Sequence, residues 1–189
     1  PAQLELARLL LLAGQFEQAF SSSEIAVRGM PQNADALAVR SSAHFRLDNF
    51  AEAETDADAA LAIVLRQPTA GAVKAALRER EGKLDEALAI IDAFVNDGTD
   101  DIGLHLYKLR LHEQLGQTTA VGAHLERMTE EFPENVGIWQ ALVRLYVQEG
   151  RSDDAEAALR KLVALGTAGD TARLALLQFL IQNKGEEAA

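Results

Sequence analysis

The stretch that decides the fold of this chain is residues 139–155, which read WQALVRLYVQEGRSDDA. Its centre is Gly150, a turn residue that follows a run of apolar side chains. Steps of 34 residues back from Gly150 meet Gly116, Gly82, Asp48 and Gly14. A fixed period of this length indicates one supersecondary unit that is repeated in tandem.

Apolar residues recur at helical spacing on both sides of each turn. Before Gly150 they are Trp139, Leu142, Leu145 and Tyr146, and after Gly82 they are Leu84, Ala87, Leu88, Ile91 and Phe94. Small residues recur seven positions before the turns and five positions after them, which lets two helices approach closely. The pattern predicts a helix, a tight turn and a second helix in every unit, and therefore an all-α fold.

Proline, glycine, asparagine and aspartate mark the boundaries between units, as in Pro31–Asp35 and Asn96–Asp101. The predicted helices are residues 3–13, 17–30, 35–47, 51–66, 70–81, 85–96, 102–115, 119–131, 136–149, 153–165 and 170–184. The predicted repeats are approximately 1–33, 34–67, 68–101, 102–135 and 136–169, with a partial repeat at 170–189. We interpret residues 1–189 as a single array and as a fragment of a longer protein.

The chain resembles the tetratricopeptide repeat (TPR) family. The matching residues are Leu6, Ala7, Gly14, Phe16, Ala19, Ala26 and Pro31 in the first unit, and Trp139, Leu142, Tyr146, Gly150 and Ala155 in the fifth. The main departures are Gly71, Lys74 and Arg78 in the third unit, and Thr118 and Val121 in the fourth. The resemblance implies a right-handed superhelical α-solenoid of helix-turn-helix units, in which first helices line a concave groove and second helices form the outer surface.

The composition argues against several classes of function. The net charge is −11 and the sequence pI is near 4.8, whereas proteins that bind nucleic acid or anionic membranes carry basic surfaces. The absence of cysteine removes disulfides and thiolate chemistry. No apolar run reaches the roughly 20 residues that span a bilayer. We expect a soluble protein, cytoplasmic or bacterial periplasmic, that binds no nucleic acid and does not insert directly into a membrane; the compartment stays open.

Motifs for catalysis and metal binding are absent from the sequence. The histidines, His44, His105, His112 and His124, lack a third ligand at metal spacing, and we interpret them as packing residues. No nucleophile elbow and no glycine-rich phosphate loop occurs. The carboxylate run Glu52, Glu54, Asp56 and Asp58 predicts a solvated helix face. We expect no enzymatic activity, no metal and no cofactor.

The first helix of each unit is richer in basic residues than the rest of the chain. The six predicted first helices hold 11 Lys and Arg against 7 Asp and Glu, and the remainder holds 7 against 22. Positions six and two before each turn share a helix face, and the family resemblance places that face in the groove.

The candidate partner-binding residues on this face are Arg8, Arg46, Arg80, Arg110, Arg144, Gln114 and Gln148. Guanidinium groups bind carboxylates through paired hydrogen bonds. The arginines of this set therefore predict a protein or peptide partner with acidic residues. The alternative is that the arginines pair with groove acids such as Glu79 and Glu113, or are solvated.

The sequence therefore predicts a non-enzymatic interaction scaffold that captures a peptide or a partner helix in its groove. The alternative is a structural spacer or self-assembly domain of a larger protein, such as a bacterial envelope or polysaccharide-export component. Helix 170–184 is strongly apolar, although terminal repeats need a polar outer face. We expect either that the native chain continues past Ala189 or that this helix pairs with a second copy in a homodimer.

Overall fold

The computed structural model describes residues 1–96, 98–166 and 169–184, and for Lys184 it describes the backbone alone. Over these residues the chain is all-α, with no strand, which confirms the predicted fold class. The helices are α1 (Ala2–Leu12), α2 (Phe16–Gly29), α3 (Ala34–Arg46), α4 (Phe50–Ile63), α5 (Pro68–Arg80), α6 (Leu84–Val95), α7 (Ile102–Gln114), α8 (Thr118–Glu131), α9 (Val136–Gln148), α10 (Ser152–Leu165) and α11 (Gly169–Lys184). The predicted bounds agree to within three residues.

The helices divide into two compact units. Unit 1 is Pro1–Leu115 and contains α1 to α7, and unit 2 is Gly116–Ala189 and contains α8 to α11. In both units consecutive helices pack on each other, and in unit 1 the first helices α1, α3 and α5 also contact one another in turn. The single array over residues 1–189 stays a prediction. The predicted end of the partial repeat, residues 185–189, lies outside the described residues.

A residue with left-handed backbone closes each of the five predicted turns. The φ angles are 73° at Gly14, 60° at Asp48, 77° at Gly82, 69° at Gly116 and 71° at Gly150. After Gly14, Asp48, Gly82 and Gly150, the next amide donates to the carbonyl five residues back, as from Gln15 to Leu10 at 2.9 Å. This bond caps a carbonyl that the helix end leaves without an intrahelical partner. The 34-residue period is therefore a period of helix caps.

Small side chains lie where the two helices of a unit cross. Ala7, Ala19, Ser41, Ala53, Ala75, Ala87 and Ala155 are fully buried. In the second repeat the Ser41 hydroxyl donates to the Ala53 carbonyl at 2.6 Å. Larger side chains at these positions would force the helices apart, because protein interiors are close-packed.

The departures of the third repeat from the family pattern have local reasons. A Cβ at Gly71 would lie 2.3 Å from Cζ of Phe94, so the absence of a side chain lets this ring pack against α5. Lys74 and Arg78, also on α5, form ion pairs with Asp58 and Glu54 of α4. Charged residues replace apolar ones in α5 because the preceding helix presents carboxylates to it.

Three of the four carboxylates in the run on α4 are therefore paired, and the prediction of a solvated face is wrong for Asp56, which is buried. Besides the pairs of Glu54 and Asp58, buried Asp56 accepts two hydrogen bonds from the Arg40 guanidinium at 2.7 Å each. These pairs join α4 to the helix before it and to the helix after it. Their role is to hold neighbouring helices together.

Candidate functional site

A cleft of about 800 Å³ opens on the first helices of unit 1. Small side chains of α3 and α5, including Ser42, Ala72 and Ala76, line it. Three predicted residues, Arg46 of α3, Arg80 of α5 and Arg110 of α7, also line it. The structure thus brings these three arginines, drawn from three successive repeats, to one cleft.

Arg46 and Arg80 are held by aromatic rings. The Arg46 guanidinium lies over the ring of Phe16, 5.6 Å from its centroid, and the Arg80 guanidinium lies 3.7 Å from the centroid of Phe50. Both arginines are exposed, and neither forms an ion pair within the described part of the chain. A ring beneath a guanidinium stabilises the cation and leaves its N–H edge open to a planar acceptor.

Arg110 is instead paired within the protein, with Glu79. The Glu79 carboxylate accepts two hydrogen bonds from Arg110 at 2.9 Å each, one from the Tyr107 hydroxyl at 2.8 Å and one from Gln114 Nε2 at 3.0 Å. For Arg110, the alternative of pairing with Glu79 is the observed arrangement. Gln114, another predicted binding residue, donates to the same carboxylate.

These contacts change the pKa of both acids in the cluster. Burial raises the pKa of Glu79, but hydrogen bonds from Gln114 and Tyr107 and the charge of Arg110 outweigh burial, so the pKa lies below its ordinary value. Burial, together with the bond to the Glu79 carboxylate, raises the pKa of Tyr107. The cluster therefore stays ionised at Glu79 and protonated at Tyr107 near neutral pH.

A second cleft, of about 590 Å³, is lined by residues of α1, α3 and the start of α5. Arg8 lies on it and donates to Asp35 at 3.0 Å, and the other oxygen of Asp35 accepts from Gln67 Nε2 at 3.1 Å. Leu12 is part of its apolar wall, and Arg46 lines this cleft as well as the larger one. The two clefts form a continuous surface that runs from α1 to α7.

The remaining predicted residues, Arg144 and Gln148, lie on α9 of unit 2, where both are exposed. Arg144 lines a small cleft of about 190 Å³ with residues of α9, α10 and α11. The predicted series of arginines is thus divided between the two units.

One signal in the sequence could have identified the ring-stacked arginines. Phe16 and Phe50 stand two positions after their turns, and Arg46 and Arg80 stand 30 residues later, two positions before the next turns. In the third repeat Leu84 replaces the phenylalanine, and the arginine position holds Gln114. Phenylalanine and arginine therefore occur together at a fixed offset.

A second pattern that the sequence analysis did not predict is a recurring ion pair between a lysine and an aspartate of neighbouring repeats. Lys74 pairs with Asp58, and Lys108 lies 2.6 Å from a carboxylate oxygen of Asp92. Both lysines stand eight positions before a turn, and both aspartates stand ten positions after the preceding one. The same contact thus recurs with the 34-residue period.

The described residues offer few groups for other chemistry. Three histidines, His105, His112 and His124, are buried, and no group of three or more metal-binding side chains occurs in the described ranges. In the same ranges, no helix combines the length and apolarity needed to cross a bilayer.

Comparison with known proteins agrees with the fold. The tetratricopeptide repeat family model matches residues 112–180. A thermophilic TPR protein from Thermus thermophilus is 22% identical with a TM-score of 0.64, covering 95% of this chain and 98% of that one. PilF of Pseudomonas aeruginosa is 15% identical with a TM-score of 0.68, covering 100% and 86%.

A third solved structure is PilW, described as a widely conserved type IV pilus biogenesis factor. It is 21% identical with a TM-score of 0.62, and the match covers 98% of this chain and 96% of that one. No curated protein matches the sequence. Residues 112–180 thus match the tetratricopeptide repeat family model, and the repeating caps, the small residues at the helix crossings and the solved structures show the fold of a tetratricopeptide repeat protein.

Proposed function

We propose that the first helices of unit 1 bind an acidic peptide or an acidic partner helix, and that the protein is a non-enzymatic interaction scaffold. TPR proteins are in general scaffolds for protein–protein interaction. The observation that carries the proposal is the pair Arg46 and Arg80. Their guanidinium groups are exposed in a cleft and lack carboxylate partners among the described residues, in a chain whose net charge is −11.

The two ring-stacked arginines differ in availability from the other predicted residues. Glu79 occupies Arg110, and Asp35 occupies Arg8. A ligand carboxylate would have to displace those internal acids, whereas at Arg46 and Arg80 no acid of the described residues is ion-paired and has to be displaced. A hydrogen bond to a charged group contributes about 1.5–3 kcal/mol, so two such contacts support a weak, selective complex.

Titration of the full chain with a labelled, end-blocked peptide of alternating Glu and Gly tests this proposal. We expect Arg80→Ala to weaken binding at least about tenfold, because one charged contact is lost. The matched control is Arg28→Ala, which removes the same charge from an exposed site on α2. An equal loss in the control would show non-specific attraction between opposite charges, and would contradict a site in the cleft.

Self-assembly is a second candidate, favoured by one face of α11. Leu174, Leu177 and Ile181 are 57%, 39% and 42% exposed, and their spacing of three and four residues aligns them on that face. Pairing of two copies through this face would cover it. Sedimentation of the wild type and of Leu177→Glu tests the candidate. We expect a dimer that the substitution dissociates, and a wild-type monomer at all concentrations would contradict it.

A further inference from the structure

The side chain two positions before each turn differs in chemical character from one repeat to the next along unit 1. It is Leu12 at the end of α1, Arg46 at the end of α3, Arg80 at the end of α5 and Gln114 at the end of α7. Leu12 is 86% exposed and lines the smaller cleft, Arg46 lines both clefts, and Arg80 lines the larger one. A ligand along this surface therefore meets an apolar side chain and then two cations.

The series ends after Arg80. Gln114 already donates to Glu79, which also holds Arg110 and Tyr107. A third carboxylate on the ligand would face the Glu79 carboxylate with no free cation beside it. Of these positions, two therefore present cations without an ion-pair partner among the described residues, at Arg46 and Arg80.

The spacing of the helices sets the spacing of the ligand residues. The helices α1, α3 and α5 contact one another in turn, and packed helices have axes about 8–10 Å apart. Equivalent side chains therefore repeat at intervals of about 10 Å. A polyproline-II chain has three residues per turn and rises about 3.1 Å per residue, so every third side chain points the same way after about 9 Å.

We propose that unit 1 recognises a peptide in the polyproline-II conformation, with an apolar residue followed at steps of three residues by two carboxylates. The apolar residue packs on Leu12, and the carboxylates bind Arg46 and Arg80. Ser42, Ala72 and Ala76 form a shallow floor that admits an extended chain between the two arginines. This inference rests on the proposed function and adds the conformation, order and spacing of the ligand.

The test uses end-blocked peptides with the sequence Leu-Pro-Pro-Asp-Pro-Pro-Asp, in this order and reversed, titrated into the full chain. Companion peptides place the two Asp residues two or four positions apart. We expect the peptide whose Asp residues are three positions apart, in one of its two orders, to bind at least about tenfold more tightly than either companion peptide. Only this spacing lets the two carboxylates contact both arginines. Adding a third Asp three residues beyond the second should give no gain.

Double-mutant cycles assign each contact. Asp→Asn at the position nearer the Leu should couple with Arg46→Ala, and at the farther position with Arg80→Ala, each by about tenfold, with no cross-coupling. Leu12→Ser should weaken the peptide that carries Leu and leave its Ala counterpart unchanged. Arg28→Ala is again the control and should couple with neither position.

Three outcomes would overturn the inference. Equal binding of all spacings, still weakened by Arg80→Ala, contradicts the ordered recognition and leaves the proposed function intact. Preference for a helical peptide with Asp residues seven apart contradicts the polyproline-II ligand, because seven residues of helix also span about 10 Å. No binding of any acidic peptide, by the wild type or the variants, contradicts both proposals.

Discussion

At the turn between α3 and α4, Asp48 adopts φ of 60°, where the other four turns of the period have glycine. Left-handed backbone costs most L-residues about 1–2 kcal/mol, and less for aspartate, while glycine adopts it freely. Asp48 also lines the larger cleft, where its carboxylate adds negative charge close to the arginines. Compared with glycine at this turn, we expect Asp48 to lower stability and to weaken the attraction for acidic ligands.

We therefore expect Asp48→Gly to stabilise the protein by about 0.5 kcal/mol, the strain relieved being partly offset by the greater freedom of glycine in the unfolded chain. The same change should tighten binding of an acidic peptide. Thermal unfolding and peptide titration measure the two effects. Gly82→Asp is the reciprocal control and should destabilise; a loss of stability in both variants would contradict the explanation.

Glu79 gives unit 1 a pH-dependent contribution to stability. Because its folded-state pKa lies below the ordinary value of 4.5, its stabilising effect is complete above that pH and is lost as the pH falls through the lowered pKa. We expect Glu79→Gln to reduce the free energy of unfolding by about 1–2 kcal/mol at pH 7, and by progressively less below pH 4.5.

Urea unfolding at a series of pH values measures this difference. Glu113→Gln is the matched control, because Glu113 is exposed and has no ion-pair partner among the described residues. A Glu79→Gln effect that did not change with pH would show that the hydrogen bonds matter without the charge.

At the scale of elements, α5 shows how one helix adapts to both of its neighbours. It accepts the Phe94 ring of α6 at Gly71, and it meets the carboxylates of α4 with Lys74 and Arg78. The residues that depart most from the family pattern are thus those that fit α5 between α4 and α6.

Gly71→Ala should destabilise the protein by about 1–2 kcal/mol. The added Cβ would lie 2.3 Å from the Phe94 ring, and the cost of displacing a packed ring exceeds the gain in helix propensity of about 1 kcal/mol. The control is Gly29→Ala on α2, where the Cβ meets open space and the change should stabilise. Gly71→Ala combined with Phe94→Leu should recover stability; no recovery would contradict the clash.

The recurring ion pair should contribute differently in successive repeats. The side chains of Lys108 and Asp92 are 10% and 33% exposed, whereas those of Lys74 and Asp58 are 22% and 57% exposed. We expect Lys108→Met to cost about 2–3 kcal/mol, because it leaves Asp92 without its cation, and Lys74→Met to cost below about 1 kcal/mol. Chemical unfolding of the two variants tests this order, and equal costs would contradict a role for burial.

At the scale of the whole molecule, fluorescence and circular dichroism report on different parts of the chain. The only tryptophan, Trp139, lies on α9 of unit 2, while both units contribute to the helical circular dichroism. Repeat arrays have stabilities set by each repeat and its neighbours, so cooperativity can break down along the chain. We expect Gly71→Ala to lower the dichroism midpoint more than the fluorescence midpoint. Equal shifts would show that the chain unfolds as one cooperative body.

The helices and their turns could be predicted because they depend on local information. Each repeat contains the signals for its own turn and helices, such as Gly14 or Gly82 and the spacing of the apolar residues around it. The same signals recur in the other repeats, which strengthens the prediction. The partners of the arginines could not be predicted, because Glu79 and Arg110 are 31 residues apart and Arg40 and Asp56 belong to different helices. Their pairing depends on where packing places each helix.

The sequence by itself determined the repeat, the helix bounds, the caps and the basic character of the first helices, since periodicity and backbone preference are properties of the local chain. Only the tertiary structure decided which charges are free. It turned Arg8 and Arg110 towards internal acids and left Arg46 and Arg80 on aromatic rings in an open cleft. The physical reason is that hydrogen bonding and ring stacking act over a few ångströms, and folding alone brings residues from different repeats within that distance.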